Sequence, residues 1–123
     1  MKNIKITKLK KMKIHYKKKS INIPVKKVSY LGEGIGLMFH SKNTNNLLFE
    51  FRRKTKMKIH SIFVFFDFLA IWLNEKNKVI GWKIVRPFTF SVSSEKSFSK
   101  LIEIPFNNKN KRISHFFDGK GKV

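Results

Sequence analysis

The strongest constraint on this chain is the period-two alternation of its apolar residues. Met12, Ile14 and Tyr16 alternate with Lys13, His15 and Lys17, and Ile21, Ile23 and Val25 alternate with Asn22, Pro24 and Lys26. Successive side chains of an extended strand point to opposite faces, so this spacing builds strands that bury one face. The polar stretch Lys17–Ser20 joins the two. Pro24 has no N–H to donate, which places the second strand at an edge or beside a bulge.

The rest of the chain continues the pattern. Leu47–Phe51 reads as a short strand followed by the basic turn Arg52-Arg53-Lys54. From Met57 to Leu73 the aromatic and β-branched content predicts two strands, broken near Phe66 and Asp67. Asn74–Lys78 is a polar turn, Val79–Val85 a strand, and Pro87 the start of a loop. Leu101–Ile104 is a last strand, stopped by Pro105. Helical spacing is confined to Val28–Phe39. The expected fold is mainly β (α+β): a compact antiparallel β domain, barrel- or sandwich-like, with one short helix around residues 28–39. No linker or repeat divides it, and 123 residues suit a single domain, set at residues 12–123. Residues 1–11, five of them lysines, are either a flexible basic extension or residues ahead of a true start at Met12.

Several function classes drop out. Without cysteine there is no disulfide scaffold, thiolate metal site or thiol nucleophile. The longest apolar run, Ile62–Leu73, would span about 18 Å as a helix against a hydrocarbon core of about 30 Å. Asp67 interrupts it, and no apolar run of signal-peptide length follows the basic start, so a cytoplasmic protein without a transmembrane segment is expected. The histidines His15, His40, His60 and His115 form no HxH or HxxxH pair, and no metal or cofactor is expected.

Charge leaves two readings open. There are 28 basic residues against 7 acidic ones, a net charge of +21, which attracts polyanions such as nucleic acid or anionic lipid and is screened by salt. The abundance of Lys, Asn, Ile and Phe is also what an AT-rich genome writes into any protein. Lysine greatly outnumbers arginine and contacts a nucleic-acid backbone as a point charge, so binding with little sequence reading is expected. The best local case is "FEFRRKTKMKIHSIFVFF", which sets Arg52, Arg53, Lys54, Lys56 and Lys58 beside phenylalanines, as single-strand-binding grooves do. Rings in so apolar a run are mostly core, and without them as platforms the basic cluster is a solvated turn. A rival reading is an enzyme or small-ligand protein with a pocket near His60, Arg86 and Glu103, and another is peripheral attachment of the N-terminal arm to anionic membrane.

Three glycines in "YLGEGIGLMF", Gly32, Gly34 and Gly36, raise the question of a phosphate loop. A dinucleotide fingerprint would need glycine where Leu37 stands, and no Gly-Lys-Ser/Thr follows. The segment instead resembles the signature of the family catalogued as domain of unknown function 192, a small uncharacterised domain of archaea and bacteria. The resembling segments are Gly36-Leu37-Met38-Phe39, Leu48–Phe51, Ile59–Phe66, Ala70–Ile80, Val85–Ser91 and Leu101–Asn107, in that order. The resemblance implies structural roles for Gly36, Leu37, Met38, Phe39 and Pro105, with the Leu37–Phe39 end of a short helix packed into the sheet. It implies no established activity. The chain departs from the family twice: Leu69 stands where members carry aspartate, with Asp67 two positions earlier, and Phe106-Asn107 replaces Ala-Gly. Asparagine tolerates the left-handed conformation such a turn uses.

Overall fold

The alternating segments fold as strands in a computed structural model that describes residues 9–28, 37, 40–61 and 63–118. β1 (Lys10–Tyr16) and β2 (Lys19–Val28) form an antiparallel hairpin, in register from Lys10↔Val25 to Tyr16↔Lys19. Its two-residue turn calls for a left-handed backbone, supplied by Lys17 at φ 56°. β3 (Leu47–Thr55), β4 (Phe68–Leu73), β5 (Val79–Val85) and β6 (Phe98–Pro105) complete a six-stranded sheet of order β1-β2-β3-β6-β4-β5. Neighbours are antiparallel except β2 and β3, which run parallel where Lys26–Val28 faces Leu47–Phe49. Pro24 precedes that stretch and lies opposite Lys11, where β2 pairs with β1 alone. That is the edge setting its missing N–H demands.

The sheet curls into a half-barrel because its two edge strands approach each other. The His15 N–H donates to the Asn77 carbonyl at 2.9 Å, and His15 bridges Lys78. Inside the curl, Leu69, Ile71 and Leu73 of β4 meet Ile14, Ile23, Ile102 and Ile104. On the outer face Phe68, Ala70 and Trp72 meet Leu47, Phe98, Leu101, Val64 and Leu37. β4 is therefore buried on both faces, which is why its sequence is continuously apolar and does not alternate.

Where the edges do not pair, a helix closes the gap. A 3₁₀ turn, Asn108–Asn110, leads into α1 (Lys111–Asp118), whose Ile113 and Phe117 lie one turn apart and face inward. The Phe117 ring sits 5.2 Å from Tyr16 of β1 and 5.6 Å from Trp82 of β5. This helix was not expected from the sequence. Asn107 does not take the left-handed conformation considered for it; at φ −154° it is extended, and its side chain caps the turn by accepting from the Asn110 N–H.

Two further expectations change. Arg52–Lys54 is not a turn but the far half of β3, beyond a register irregularity between Glu50 and Thr55. The first of the two strands expected between Met57 and Leu73 is a loop instead, paired only by the Ile59↔Val92 bridge among the described residues. The helix expected around residues 28–39 lies outside the described residues, except that Val28 ends β2 and Leu37 is buried in a turn. Gly36, Met38 and Phe39 lie outside them as well. Among the described residues no helix is long and apolar enough to cross a membrane.

Candidate functional site

The outer face of the sheet is roofed by two loops, residues 56–66 and 86–97, and one serine holds them together. Ser61 is fully buried. Its hydroxyl donates to the Arg86 carbonyl at 2.6 Å and accepts from the Thr89 N–H at 2.6 Å. Its N–H donates to the Thr89 carbonyl, and its own carbonyl accepts from the N–H groups of Val64 and Phe88. Irregular backbone cannot satisfy its own polar groups as a ladder does, so a buried side chain that both donates and accepts takes over. The paired N–H···O bonds between Ile59 and Val92 extend the join.

This join pushes aromatic rings outward. Phe63 is 46% exposed, Phe65 60%, Phe88 50% and Phe90 80%, while Phe49, Phe68 and Phe98 are buried. Phe65 and Phe88, one from each loop, meet edge to face at 5.2 Å. Phe63 and Phe88 hold left-handed backbones, with φ 66° and 59°. A bulky residue pays for that conformation only where surrounding structure imposes it, and such strain gathers at functional surfaces. The cations enter along the same chain: Arg52, Arg53, Lys54, Lys56 and Lys58 are all exposed. A concavity of about 490 Å³ runs past Phe51, Arg52, Arg53, Lys54 and Met57. It opens where β3 loses register with β6, and such irregularities re-aim side chains next to sites.

Acids do little to neutralise the surface. Among the described residues there are two ion pairs, Lys27–Glu50 at 2.8 Å and Arg86–Asp67 at 3.1 Å. The hydrogen bond from Lys27 holds the Glu50 carboxyl below its usual range. Asp67 is thus a partner for Arg86 where β4 begins and β5 ends, while Leu69 is buried inside the curl.

His60, Arg86 and Glu103 differ in burial and in partners. Arg86 keeps its side chain 75% exposed and turned to Asp67. His60 is half-buried beside Ser61 in the loop join. Glu103 lies in β6 between Leu47 and Ala70 on the outer face, 6% exposed, where it accepts a hydrogen bond from the Leu37 N–H. Burial pushes its carboxyl up to about 7, and the Leu37 bond offsets part of that rise. None of the three lines the apolar cavity described below. No three His, Asp or Glu side chains among the described residues cluster as a metal site. Pro105 ends β6 and is buried, its carbonyl accepting from Asn110. The exposed rings were the part the sequence hid. Apolar context could not separate Phe65 from Phe68, since only the loop path decides which one faces out.

No family model and no curated protein matches this chain. Two solved structures are similar to it. A protein of unknown function from Novosphingobium aromaticivorans aligns with a TM-score of 0.71 at 10% identity, covering 86% of this chain and 79% of its own. A putative transcription regulator from Sinorhizobium meliloti aligns with a TM-score of 0.73 at 12% identity, covering 92% of this chain and 91% of its own. At such identities the likeness is one of fold.

Proposed function

We propose that the chain is a non-enzymatic module that holds single-stranded nucleic acid without reading its sequence. The observation that carries this is the display of Phe63, Phe65, Phe88 and Phe90 on two joined loops, the first of which continues the chain from Arg52, Arg53 and Lys54 and holds Lys56 and Lys58. Exposed rings offer π-faces on which any base can stack, and lysines follow the phosphates. Arg86 contributes charge at the same loop, shared with Asp67. Glu103 is enclosed beneath the loops and does not belong to this surface. The description of the Sinorhizobium protein points the same way but carries no weight of its own at 12% identity. Membership of the domain of unknown function 192 family belongs to the same proposal, supported by the order of the resembling segments.

The test is fluorescence anisotropy with random-sequence single-stranded RNA and duplex DNA, titrated from low to physiological salt. The single strand binds more tightly, and Phe65→Ala/Phe88→Ala/Phe90→Ala weakens it roughly tenfold or more at unchanged net charge. Removing three charges at the β1–β2 turn, Lys17→Gln/Lys18→Gln/Lys19→Gln, lowers binding mainly at low salt. Equal loss from both variants, or none from the phenylalanine variant, sinks the proposal. So does a preference for anionic vesicles over RNA. Any deletion that probes the N-terminal arm has to stop at residue 8, because Lys10 and Lys11 pair with Val25 and Pro24 in β1.

A further inference from the structure

On the opposite side of the molecule, α1 does not cover the whole mouth of the half-barrel. Beside it lies a cavity of about 700 Å³, within the size range of small-molecule sites. Its floor and walls are apolar: Leu69, Trp82, Ile84, Phe106 and Phe117. Ile84 is 49% exposed there, on the edge strand β5. Its rim carries Lys42, Lys111 and the imidazole of His115, and among the described residues no acid lines it. Neither lysine is in an ion pair among the described residues.

The rim is preformed. Asn46 and Asn110, both buried, exchange two side-chain hydrogen bonds at 3.2 and 3.0 Å. Asn46 also donates to the Pro24 carbonyl and Asn110 to that of Pro105, so this amide pair ties the residue 40–46 loop to β2, β6 and the start of the helical segment. Asn107 then donates to the Lys42 carbonyl at 2.7 Å, fixing the lysine's backbone over the opening. A fully bonded buried amide network of this kind holds a single arrangement. The floor is equally rigid, since the Trp82 indole N–H donates to the Tyr16 hydroxyl at 3.3 Å and its ring meets Phe117. An apolar chamber with two lysines at its rim suits a ligand that is apolar for most of its length and negative at one end.

We propose that this cavity binds a small amphipathic carboxylate, its apolar body against Trp82, Ile84 and Phe117 and its headgroup at Lys42 and Lys111. The site is separate from the phenylalanine surface and shares none of its residues.

The test is a titration of the full-length ¹⁵N-labelled protein with decanoate, 1-decanol and acetate, below the concentration at which decanoate aggregates. Decanoate gives saturable shifts at the Trp82 indole N–H and at the amides of Leu69, Ile84 and Phe117. Acetate gives none, and decanol binds the same residues roughly tenfold more weakly. Lys42→Gln/Lys111→Gln removes the advantage of decanoate over decanol and leaves decanol binding unchanged. Ile84→Asp, at an exposed position that does not threaten folding, weakens decanoate roughly tenfold by placing like charge on the wall. Lys17→Gln/Lys18→Gln removes the same charge elsewhere and changes neither ligand. Equal binding of decanol and decanoate, or shifts spread along the β1–β2 lysines, overturns the proposal. Displacement of decanoate by single-stranded RNA overturns it too. Sedimentation with phosphatidylglycerol vesicles that depends on Lys42 and Lys111, without saturable decanoate shifts, overturns it in favour of a membrane surface.

Discussion

On one face of β4, Leu69, Ile71 and Leu73 are covered by a hairpin and a helix; on the other, Phe68, Ala70 and Trp72 lie under two irregular loops. The inner cover is made of elements that satisfy their own backbone groups, so apolar side chains suffice to complete it. The outer cover has only scattered backbone bonds of this kind, around Ile59–Val92 and Ser61. It depends on Ser61, it accommodates the buried carboxyl of Glu103, and it leaves the Trp72 indole N–H buried without a partner. It also carries the left-handed backbones of Phe63 and Phe88. Departures from ideal structure therefore collect on the face that displays the aromatic rings, as expected where a surface is shaped for a purpose other than stability.

Four substitutions probe this contrast. Ile71→Ala empties the inner face, where regular elements leave little room to collapse, and costs about 2–5 kcal/mol by chemical denaturation. A smaller loss would mean that the inner packing adapts as the loops do.

Glu103→Gln acts on the outer face through pH. The folded state holds this proton up to about pH 7 against an ordinary 4.5, so stability is fully present below the ordinary value and falls as pH rises through 7. Complete ionisation costs roughly 3 kcal/mol. The glutamine variant still offers an acceptor to the Leu37 N–H and escapes that loss. Relative to the parent its stability therefore grows as pH rises from about 4.5 to about 7 and levels off above that. Because the charge of the remaining surface is common to both proteins, their difference isolates Glu103. A difference that stays flat with pH would place the carboxyl in contact with water.

Ser61→Ala strands the Thr89 N–H, leaves the Arg86 carbonyl with the Thr89 hydroxyl alone, and costs about 1–3 kcal/mol. It also loosens the loop join, so RNA affinity falls with it. Ser61→Thr keeps the hydroxyl and recovers part of both. Smallest in stability is Phe90→Ala, within about 0.5 kcal/mol of the parent because the ring is mostly in solvent. If the outer face is a binding surface, this nearly silent change still weakens single-strand binding. If stability falls and binding does not, the ring is packing material.

Much of the frame was legible in the chain. Alternation located β1 and β2, turn residues bounded β5, and the proline at the end of β6 marked its last residue. The second of the strands read between Met57 and Leu73 is β4, and that it is buried on both faces came from the structure. α1 was missed because eight residues have too little helical stability of their own to leave a strong pattern; Ile113 and Phe117 make it a helix by docking onto the barrel mouth. The spacing of those two residues behind the cap at Asn107 was the available signal. The loop over residues 57–66 was mistaken for a strand since its composition is that of a strand. Its conformation is set by bonds to residues 86–92, some twenty-five positions away.

The sequence by itself determined a β domain without thiol chemistry, carrying a large excess of positive charge, because periodicity and composition are local properties of the chain. Only the tertiary structure decided which of thirteen phenylalanines face solvent and that Glu103 is enclosed. It alone placed Lys42 beside Lys111 at the rim of one cavity. Each of these depends on which distant segment lies across the sheet, and that is settled by long-range bonds such as Ser61 to Arg86 and Asn46 to Asn110, which no local pattern encodes.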